Sequence, residues 1–594
     1  MKGKKSETPE MWDLLIPVLL VIGVLPLIVH LAVYSCGYSQ YEWYLSNDIL
    51  ADFYCYYKSY FLDVIAFFAC VILAFRFALY REQMKPVKYA APLFGYCAFV
   101  LLSTLCSVNR KASVQGNFES FESCFVLISY VVLFLYTYQL MQKERDYRII
   151  WRGILWLCTA FVLIGAFQVS GHDLLDFMWV QRLVMSEENF AAYGGEIENL
   201  FTGNNVYLTL YNPNYAGIAL SMLFAIVFFV AVTEQEKKRR RCYAALCALL
   251  ACLVWFTYSR ASLLTMIMTL ILTLLWTHRL RVKGDGNGGA ANNRLIAAGA
   301  GILLIVLVGT DAILGFPYLS RILEKNDREP LEEMVTDEEG IHIRYARTDY
   351  LLYVEGETLS CRSEQSGDTV SAPEGESLKL PFEASAEAVL DLQDGQQIYV
   401  FLLDTTLSFV REDGIYYYQN AAGKRSRMTP VPAADLHGLE YLGSARGYIW
   451  SRVLPLLKRY LVLGSGPDTF AEVFPQNDYA GKIVYADDPD RVIEKAHNDY
   501  LTKWVQTGFL SVVCVAAFYV LLIAKCRRQY RSACREAGTD GRVLSLQLRL
   551  GIGCYLACIS FIAASFFNDS TVQTAPLFWV FAGIALSGAA EPDK

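Results

Sequence analysis

One polar stretch of this sequence holds residue types suited to proton transfer and anion binding, and it lies between long apolar segments. Residues 446–501 contain Arg446, a Gly-Ser-Gly-Pro turn at 464–467 and His497, and the whole chain has only six histidines. An imidazole can accept a proton near neutral pH, and a guanidinium stays charged and binds anions. The stretch therefore has the groups for general-base catalysis beside an anion.

Each of these features also has a structural interpretation. His497 is followed by Asn498 and Asp499, which could orient its ring, although a single histidine is more often structural. Arg446 precedes an apolar helical pattern, where it could face an anion or simply be a solvated loop arginine. The turn at 464–467 could bind an anion through its backbone amides, but an ordinary turn is the stronger interpretation.

Arg260 and a pair of asparagines stand at the ends of apolar segments. A charge at membrane depth costs about 2.5–3.5 kcal/mol and indicates a functional site by default. Arg260, between two apolar runs, fits this pattern, or it could reach the head groups from a tight exterior turn. Asn212 is a typical N-cap before Pro213, and Asn212 or Asn214 could instead hydrogen-bond a head group or a sugar.

The elements that must position these residues are membrane helices. Of the 594 residues, 54% are hydrophobic and 19% charged, and the mean hydropathy is +0.30. Apolar runs long enough to cross a bilayer need about 20 residues. The sequence predicts an all-α polytopic membrane protein with about twelve such runs, near 11–33, 60–80, 89–106, 122–141, 150–170, 212–232, 243–258, 261–278, 294–315, 506–525, 547–566 and 573–588.

The distribution of Lys and Arg predicts the orientation of these helices. Basic clusters occupy every second loop, and the loops between them are acidic or neutral. Because basic loops remain in the cytoplasm, we expect both termini in the cytoplasm and residues 316–505 outside. The predicted regions are helices 1–9 in 1–315, the exterior loop 316–505, and helices 10–12 with a cytoplasmic tail in 506–594.

The exterior loop changes character along its length. Alternating patterns and an Asp-Gly turn at 413–414 predict a small β-rich inserted domain at 335–440. The remainder, 441–505, contains Arg446 and His497 and is predicted to be the catalytic loop.

Composition also excludes some functions. A net charge of −7 argues against nucleic-acid binding. The sixteen cysteines lie mostly in apolar runs, and no Cys-x-x-Cys pair accompanies a histidine pair, so no zinc site is expected. Cys36 and Cys55 share one predicted exterior loop, and their spacing leaves a disulfide between them open.

Five short motifs resemble, in order and topology, the O-antigen ligase and O-antigen polymerase superfamily. The resemblance covers about 200–588 without the insertion, which departs from the family's usual loop. The motifs are Asn212-Pro213-Asn214-Tyr215, Ser259-Arg260-Ala261, Arg446-Gly447-Tyr448-Ile449-Trp450, Gly464-Ser465-Gly466-Pro467-Asp468-Thr469-Phe470 and His497-Asn498-Asp499-Tyr500-Leu501.

This resemblance implies a GT-C-type membrane glycosyltransferase that needs no metal or other cofactor. Its partners would be an undecaprenyl-pyrophosphate-linked glycan donor, a glycan or lipid-linked acceptor, and membrane lipid. Arg260 and Arg446 match the family arginines that bind pyrophosphate, and His497 matches the histidine proposed as the base on the acceptor hydroxyl.

A polymerase and a ligase share this chemistry and differ only in the acceptor, and we favour the polymerase by a small margin.

Two other function classes remain open. A transporter or flippase of lipid-linked sugars would show an internal repeat and charges along several helices, which the sequence lacks. A sensor would carry a cytoplasmic signalling domain, but the predicted cytoplasmic loops are short.

Overall fold

The computed structural model describes residues 12–45, 48–81, 84–117, 120–197, 201, 203–281, 331–392, 396–436, 438–539 and 544–588. The ninth predicted apolar run, 294–315, lies outside these residues, as do both termini and the start of the predicted exterior loop.

The described chain is mainly helical, and most helices coincide with apolar runs. The helices are α1 (Ile16–Gly23), α2 (Tyr56–Leu79), α3 (Ala91–Leu105), α4 (Arg110–Gln115), α5 (Cys124–Leu140), α6 (Glu144–Val169), α7 (Met178–Val184), α8 (Glu187–Tyr193), α9 (Pro213–Thr233), α10 (Lys237–Phe256), α11 (Arg260–Arg281), α12 (Leu442–Leu457), α13 (Phe470–Val473), α14 (Tyr479–Ala486), α15 (Asp499–Thr507), α16 (Phe509–Thr539), α17 (Leu546–Ala564) and α18 (Ala575–Gly588).

Six helical segments of the described chain are long and apolar enough to cross a bilayer. They are Tyr56–Leu79, Lys88–Leu105, Glu144–Val169, Pro213–Thr233, Phe509–Cys534 and Leu546–Ala564. Shorter apolar helices lie at Asp13–Leu27, Cys124–Leu140, Arg260–Trp276 and Ala575–Gly588. These helices are those of a membrane protein, and the twelve-helix topology stays a prediction.

Helix α9 lies at the centre of the bundle. In the apolar 18-residue stretch of α9, 83% of the residues are buried inside the protein. The corresponding share for α2 is 22%, so α2 has the more exposed surface. Small residues allow the close packing, as is usual between membrane helices. A Cβ added to Gly217 would lie 2.3 Å from Ser262 Oγ of α11, and one added to Gly553 of α17 would lie 3.0 Å from Ile226 Cα.

Basic loops that the sequence assigned to one side of the membrane meet at one end of the bundle. Arg549 Nη1 lies 2.9 Å from Glu234 Oε2, which joins the start of α17 to the end of α9. Lys85 Nζ donates to the carbonyl oxygens of Tyr138 and Met141 at 2.9 and 2.5 Å. The candidate site lies at the opposite helix ends, and which end faces the cytoplasm stays a prediction.

A β-rich domain is inserted between the helices. Its strands are β3 (Leu331–Thr336), β4 (Ile341–Tyr345), β5 (Thr348–Glu355), β6 (Thr358–Ser363), β7 (Thr369–Pro373), β8 (Ser377–Lys379), β9 (Glu387–Asp391), β10 (Gln397–Leu402), β11 (Thr405–Glu412), β12 (Ile415–Gln419) and β13 (Arg425–Ser426). A separate antiparallel pair, β1 (Ala32–Ser35) with β2 (Ile49–Asp52), lies near the N-terminus.

Each sheet of this domain is an antiparallel meander. The five-stranded sheet runs β3 to β7 in chain order and the six-stranded sheet β8 to β13. The turn between β11 and β12 has Asp413 at φ 50° and Gly414 at φ 83°, the positive values that a two-residue hairpin turn requires. The shared core also includes Tyr479 and Ile483 of α14, so the segment that contains α14 completes this domain.

Candidate functional site

His497 occupies a constrained backbone position immediately before a helix. Its φ is 50°, a value that non-glycine residues rarely adopt. Asn498 is the N-cap of α15, since its Oδ1 accepts from Tyr500 N and Leu501 N, both at 3.1 Å. Asn498 Nδ2 also donates to Phe566 O at 3.0 Å, which fixes the α15 start to the loop between α17 and α18.

The His497 ring is hydrogen-bonded to a buried carboxylate from that loop. His497 Nδ1 lies 3.1 Å from Asp569 Oδ2, with exposed side-chain fractions of 44% for His497 and 2% for Asp569. Thr502 donates to Asp569 Oδ1 at 2.8 Å. Burial opposes ionisation of Asp569, but the His497 hydrogen bond and the charges of His497 and Lys495 hold the pKa of the carboxyl below its usual value. The result is an accessible imidazole supported by an ionised, buried acid.

The orienting groups expected next to His497 have other partners. Asn498 caps α15, and Asp499 forms an ion pair with Lys503 and accepts from Ser570 N at 3.3 Å. Burial raises the pKa of Asp499, whose Oδ2 is buried without a hydrogen bond. The orienting role therefore belongs to Asp569. The sequence signal for it was the polar Asn-Asp-Ser interruption at 568–570 between the last two apolar runs.

Arg446 lies in the first turns of α12 and has unused hydrogen-bonding capacity. Its Nη1 donates to Gly443 O at 3.1 Å, and its Nε is buried with no hydrogen-bond partner. Burial lowers the pKa of Arg446 from its usual value, the charge of Arg260 adds to this effect, and Asp569 and Tyr215 oppose it. The fold thus brings Arg446, Arg260 and Asp569 close enough to interact electrostatically.

Arg260 begins α11 at the same end of the bundle. Ser259 Oγ accepts from Ser262 N at 3.4 Å and from Ser262 Oγ at 2.9 Å, so the helix start is capped without the arginine. Arg260 is half-buried, and within the described part of the chain its side chain makes no hydrogen bond or ion pair. It is therefore available to an anion.

A buried lysine adds a third cation, which the sequence analysis did not single out. Lys495 is 3% exposed, and its Nζ donates to Tyr215 OH at 3.2 Å. Its charge also acts on Asp569. In the sequence, nothing distinguishes Lys495 except its position two residues before His497. With Arg260 and Arg446, it gives this region three basic side chains.

The two candidate asparagines have different positions. Asn212 is the N-cap of α9, with its Oδ1 accepting from Asn214 N at 2.9 Å. This start places Tyr215 in the first turn, where it reaches Lys495. Asn214 is half-buried, and its side chain makes no hydrogen bond to any residue that the structure describes. Their predicted contact with a head group or sugar stays a prediction.

The glycine-rich turn packs against protein instead of presenting its amides to solvent. Gly464 N donates to Ser103 Oγ at 3.0 Å, Ser465 N to Val505 O at 2.8 Å and Gly466 N to Gln506 O at 2.9 Å. A Cβ on Gly464 would lie 2.0 Å from the Gln506 carbonyl carbon. The turn anchors the loop to the helices, in agreement with the structural interpretation.

Two further predictions concern metals and disulfides. Across the described ranges, no group of three or more His, Cys, Asp or Glu side chains is arranged to hold a metal ion, and metal-independent chemistry stays a prediction. Cys36 and Cys55 are not joined by a disulfide. Cys36 Sγ lies 3.5 Å from Tyr44 OH, and Gln573 Nε2 lies 2.6 Å from Cys55 Sγ, so the two sulfurs contact different residues.

The arrangement combines a side chain that can act as a base with side chains that can bind an anion. One imidazole nitrogen is held by Asp569, and Arg446 and Lys495 both act electrostatically on the same carboxylate. Such a site can deprotonate a hydroxyl while it stabilises a departing anion. No protein-family model matches the sequence, and a search of curated proteins finds no match.

Proposed function

We propose that this chain is a membrane glycosyltransferase that moves a glycan from an undecaprenyl-pyrophosphate carrier to an acceptor hydroxyl at the outer face of a bacterial plasma membrane. The observation that carries the proposal is the 3.1 Å contact between the accessible His497 ring and buried Asp569, beside the Arg446 guanidinium with its unpaired Nε. The five ordered motifs support the same assignment.

The proposed base is His497 Nε2. Asp569 accepts a hydrogen bond from Nδ1–H, which leaves Nε2 with its lone pair. The acceptor hydroxyl gives its proton to Nε2, and its oxygen forms a bond to the anomeric carbon. The bond from that carbon to the pyrophosphate oxygen breaks, and its electrons remain on the pyrophosphate. Ionised Asp569 then stabilises the imidazolium.

The proposed pyrophosphate site consists of Arg446, Arg260 and Lys495. A guanidinium stays charged and binds phosphate oxygens in a planar, bidentate manner. The buried Nε of Arg446 gains the acceptor it lacks when such an anion is present. Fixed cations in a partly buried site supply the charge stabilisation that a divalent ion gives other sugar transferases, so the proposed reaction is metal-independent.

The acceptor decides between polymerase and ligase, and polymerase remains our preference. Purified protein in nanodiscs would be incubated in EDTA with an undecaprenyl-pyrophosphate-linked oligosaccharide. A polymerase lengthens the glycan with this donor alone, whereas a ligase needs a second acceptor. Movement of the donor across the bilayer without a new glycosidic bond would show a flippase and reject the proposal.

A further inference from the structure

A cleft of about 470 Å³ lies where the β-rich domain meets the catalytic loop. The six-stranded sheet, the segment before α14 and the loop after β1 all contribute to it. The lining residues used below are Trp43, Tyr417, Arg425, Arg427, Gln476 and Asn477. The volume suits a small-molecule or oligosaccharide segment.

Aromatic rings form part of the wall. Trp43 stacks on Tyr41, with ring centroids 5.0 Å apart and an angle of 11° between the planes. Tyr41 is held in turn by its hydroxyl, which donates to Glu472 Oε2 at 3.2 Å. Trp43 and Tyr417 are both half-buried, so parts of their rings remain accessible. Fixed aromatic faces with polar edges are suited to the apolar faces of sugar rings.

The polar groups of the wall differ in their availability. Arg425 forms an ion pair with Glu412. Asn477 Nδ2 donates to Thr429 Oγ1 at 2.7 Å, which leaves the amide oxygen of Asn477 without a hydrogen bond to any described residue. Arg427 is exposed, and no described residue forms a hydrogen bond or ion pair with it. An available guanidinium favours a carboxylate.

The cleft is connected to the segment that carries His497. Gln476 Nε2 donates to Ile493 O at 2.7 Å, and Gln476 Oε1 accepts from Ile493 N at 3.0 Å. Ile493 is four residues before His497, a span of at most about 14 Å along the chain. An extended oligosaccharide can bridge that distance.

From this geometry, and resting on the proposed function, we propose that the cleft binds an acceptor glycan that carries carboxylate groups. Sugar rings stack on Trp43 and Tyr417, a uronate carboxylate pairs with Arg427, and the reactive end of the glycan extends toward His497. The β-rich domain thereby selects an acidic acceptor and does no chemistry itself.

The test measures binding of two probes to the full-length protein in nanodiscs. Tetragalacturonate supplies carboxylates, and maltotetraose is the neutral control. We expect tetragalacturonate to bind more tightly, and Arg427→Gln to weaken that binding at least about tenfold, since hydrogen bonds to charged groups are among the stronger ones. Arg362→Gln, at an exposed arginine of the five-stranded sheet, should bind tetragalacturonate like the wild type.

A second variant separates this inference from the proposed reaction. Trp43→Ala should weaken binding of both probes, whereas His497→Gln should leave probe binding unchanged even where transfer is lost. Equal affinity for the two probes, or unchanged tetragalacturonate binding in Arg427→Gln, would overturn the inference. A protein that binds the acidic probe through Arg427 but forms no glycosidic bond would refute the proposed reaction alone.

Discussion

His497 Nδ1 lies 3.1 Å from Asp569 Oδ2 although 72 residues separate them in the chain. Asp499 N donates to Ser565 O at 2.9 Å and to Asn568 O at 3.0 Å, so the backbone also joins these two loops. The imidazole and its carboxylate therefore belong to one rigid unit, which forms only when α15, α17 and α18 are packed together.

Replacing Asp569 with asparagine should prevent His497 from acting as a base. The substitution keeps a side chain of nearly the same size at position 569. The asparagine amide can donate to Nδ1, which would place the ring proton on Nε2 and leave no lone pair for the acceptor. We expect turnover to fall at least about 10²-fold, the lower end of a general-base contribution. Asp487→Asn, at an exposed aspartate directly after α14, is the control. Equal turnover in Asp569→Asn and Asp487→Asn would remove Asp569 from the site.

Replacing either site arginine with lysine should weaken donor use although charge is retained. Lysine lacks the planar fork that binds two phosphate oxygens. Loss of one charge-assisted hydrogen bond costs about 1.5–3 kcal/mol, or about 10- to 150-fold in donor kcat/KM. The matched control is Arg459→Lys, at an exposed arginine shortly after α12. If Arg260→Lys and Arg446→Lys both behave like that control, neither residue binds the pyrophosphate.

Asp468 should make the stability of the protein fall as pH rises from acidic values to neutrality. Burial, with a smaller effect from the charge of Glu122, raises the pKa of Asp468 from 3.8 to about 7, although Asn117 N donates to its carboxyl at 2.9 Å. A carboxyl with a raised pKa in the folded state contributes stability that is present below the unfolded pKa and lost as pH rises through about 7.

Thermal unfolding in detergent between about pH 5 and 8 measures this effect. The wild-type Tm should decrease across that range, and Asp468→Asn, which cannot ionise, should lose this part of the decrease. Asp487→Asn should follow the wild type. The same pH dependence in Asp468→Asn and the wild type would show that Asp468 is already ionised at about pH 5.

The predicted topology places the β-rich domain outside the cell. Ala422→Cys puts a thiol on an exposed turn of that domain, and Lys238→Cys puts one in the basic first turn of α10. In intact cells, a membrane-impermeant maleimide should label the first and spare the second. The opposite pattern would reverse the orientation and move the site to the cytoplasm. The background requires replacement of the exposed native cysteines, which are Cys70, Cys106, Cys242 and Cys252.

Local patterns predicted much of this architecture. Apolar runs located helices of membrane length, and period-two alternation with the Asp-Gly turn located the β-rich domain. The sequence points to Arg260, Arg446 and His497 because each is a polar residue beside an apolar segment, and their roles stay a prediction. In each case the signal lies within a few residues of the feature.

The residue pairs of the candidate site that the sequence does not reveal depend on tertiary contacts. No local rule connects Asp569 to His497, or Lys495 to Tyr215 in another helix. Asn498 and Asp499 were assigned to His497 because they are adjacent in sequence. However, adjacent residues at a helix start point in different directions, and Asn498 serves the cap while Asp499 pairs with Lys503 at i+4.

The most direct test of the account is the rate at which purified His497→Gln protein transfers glycan from the lipid-linked donor. Glutamine can retain a hydrogen bond to Asp569 but cannot act as a base near neutral pH. We predict a fall in turnover of about 10²- to 10⁴-fold, with donor binding nearly unchanged because the cations carry it. Transfer at close to the wild-type rate would contradict the assignment of His497 as the general base.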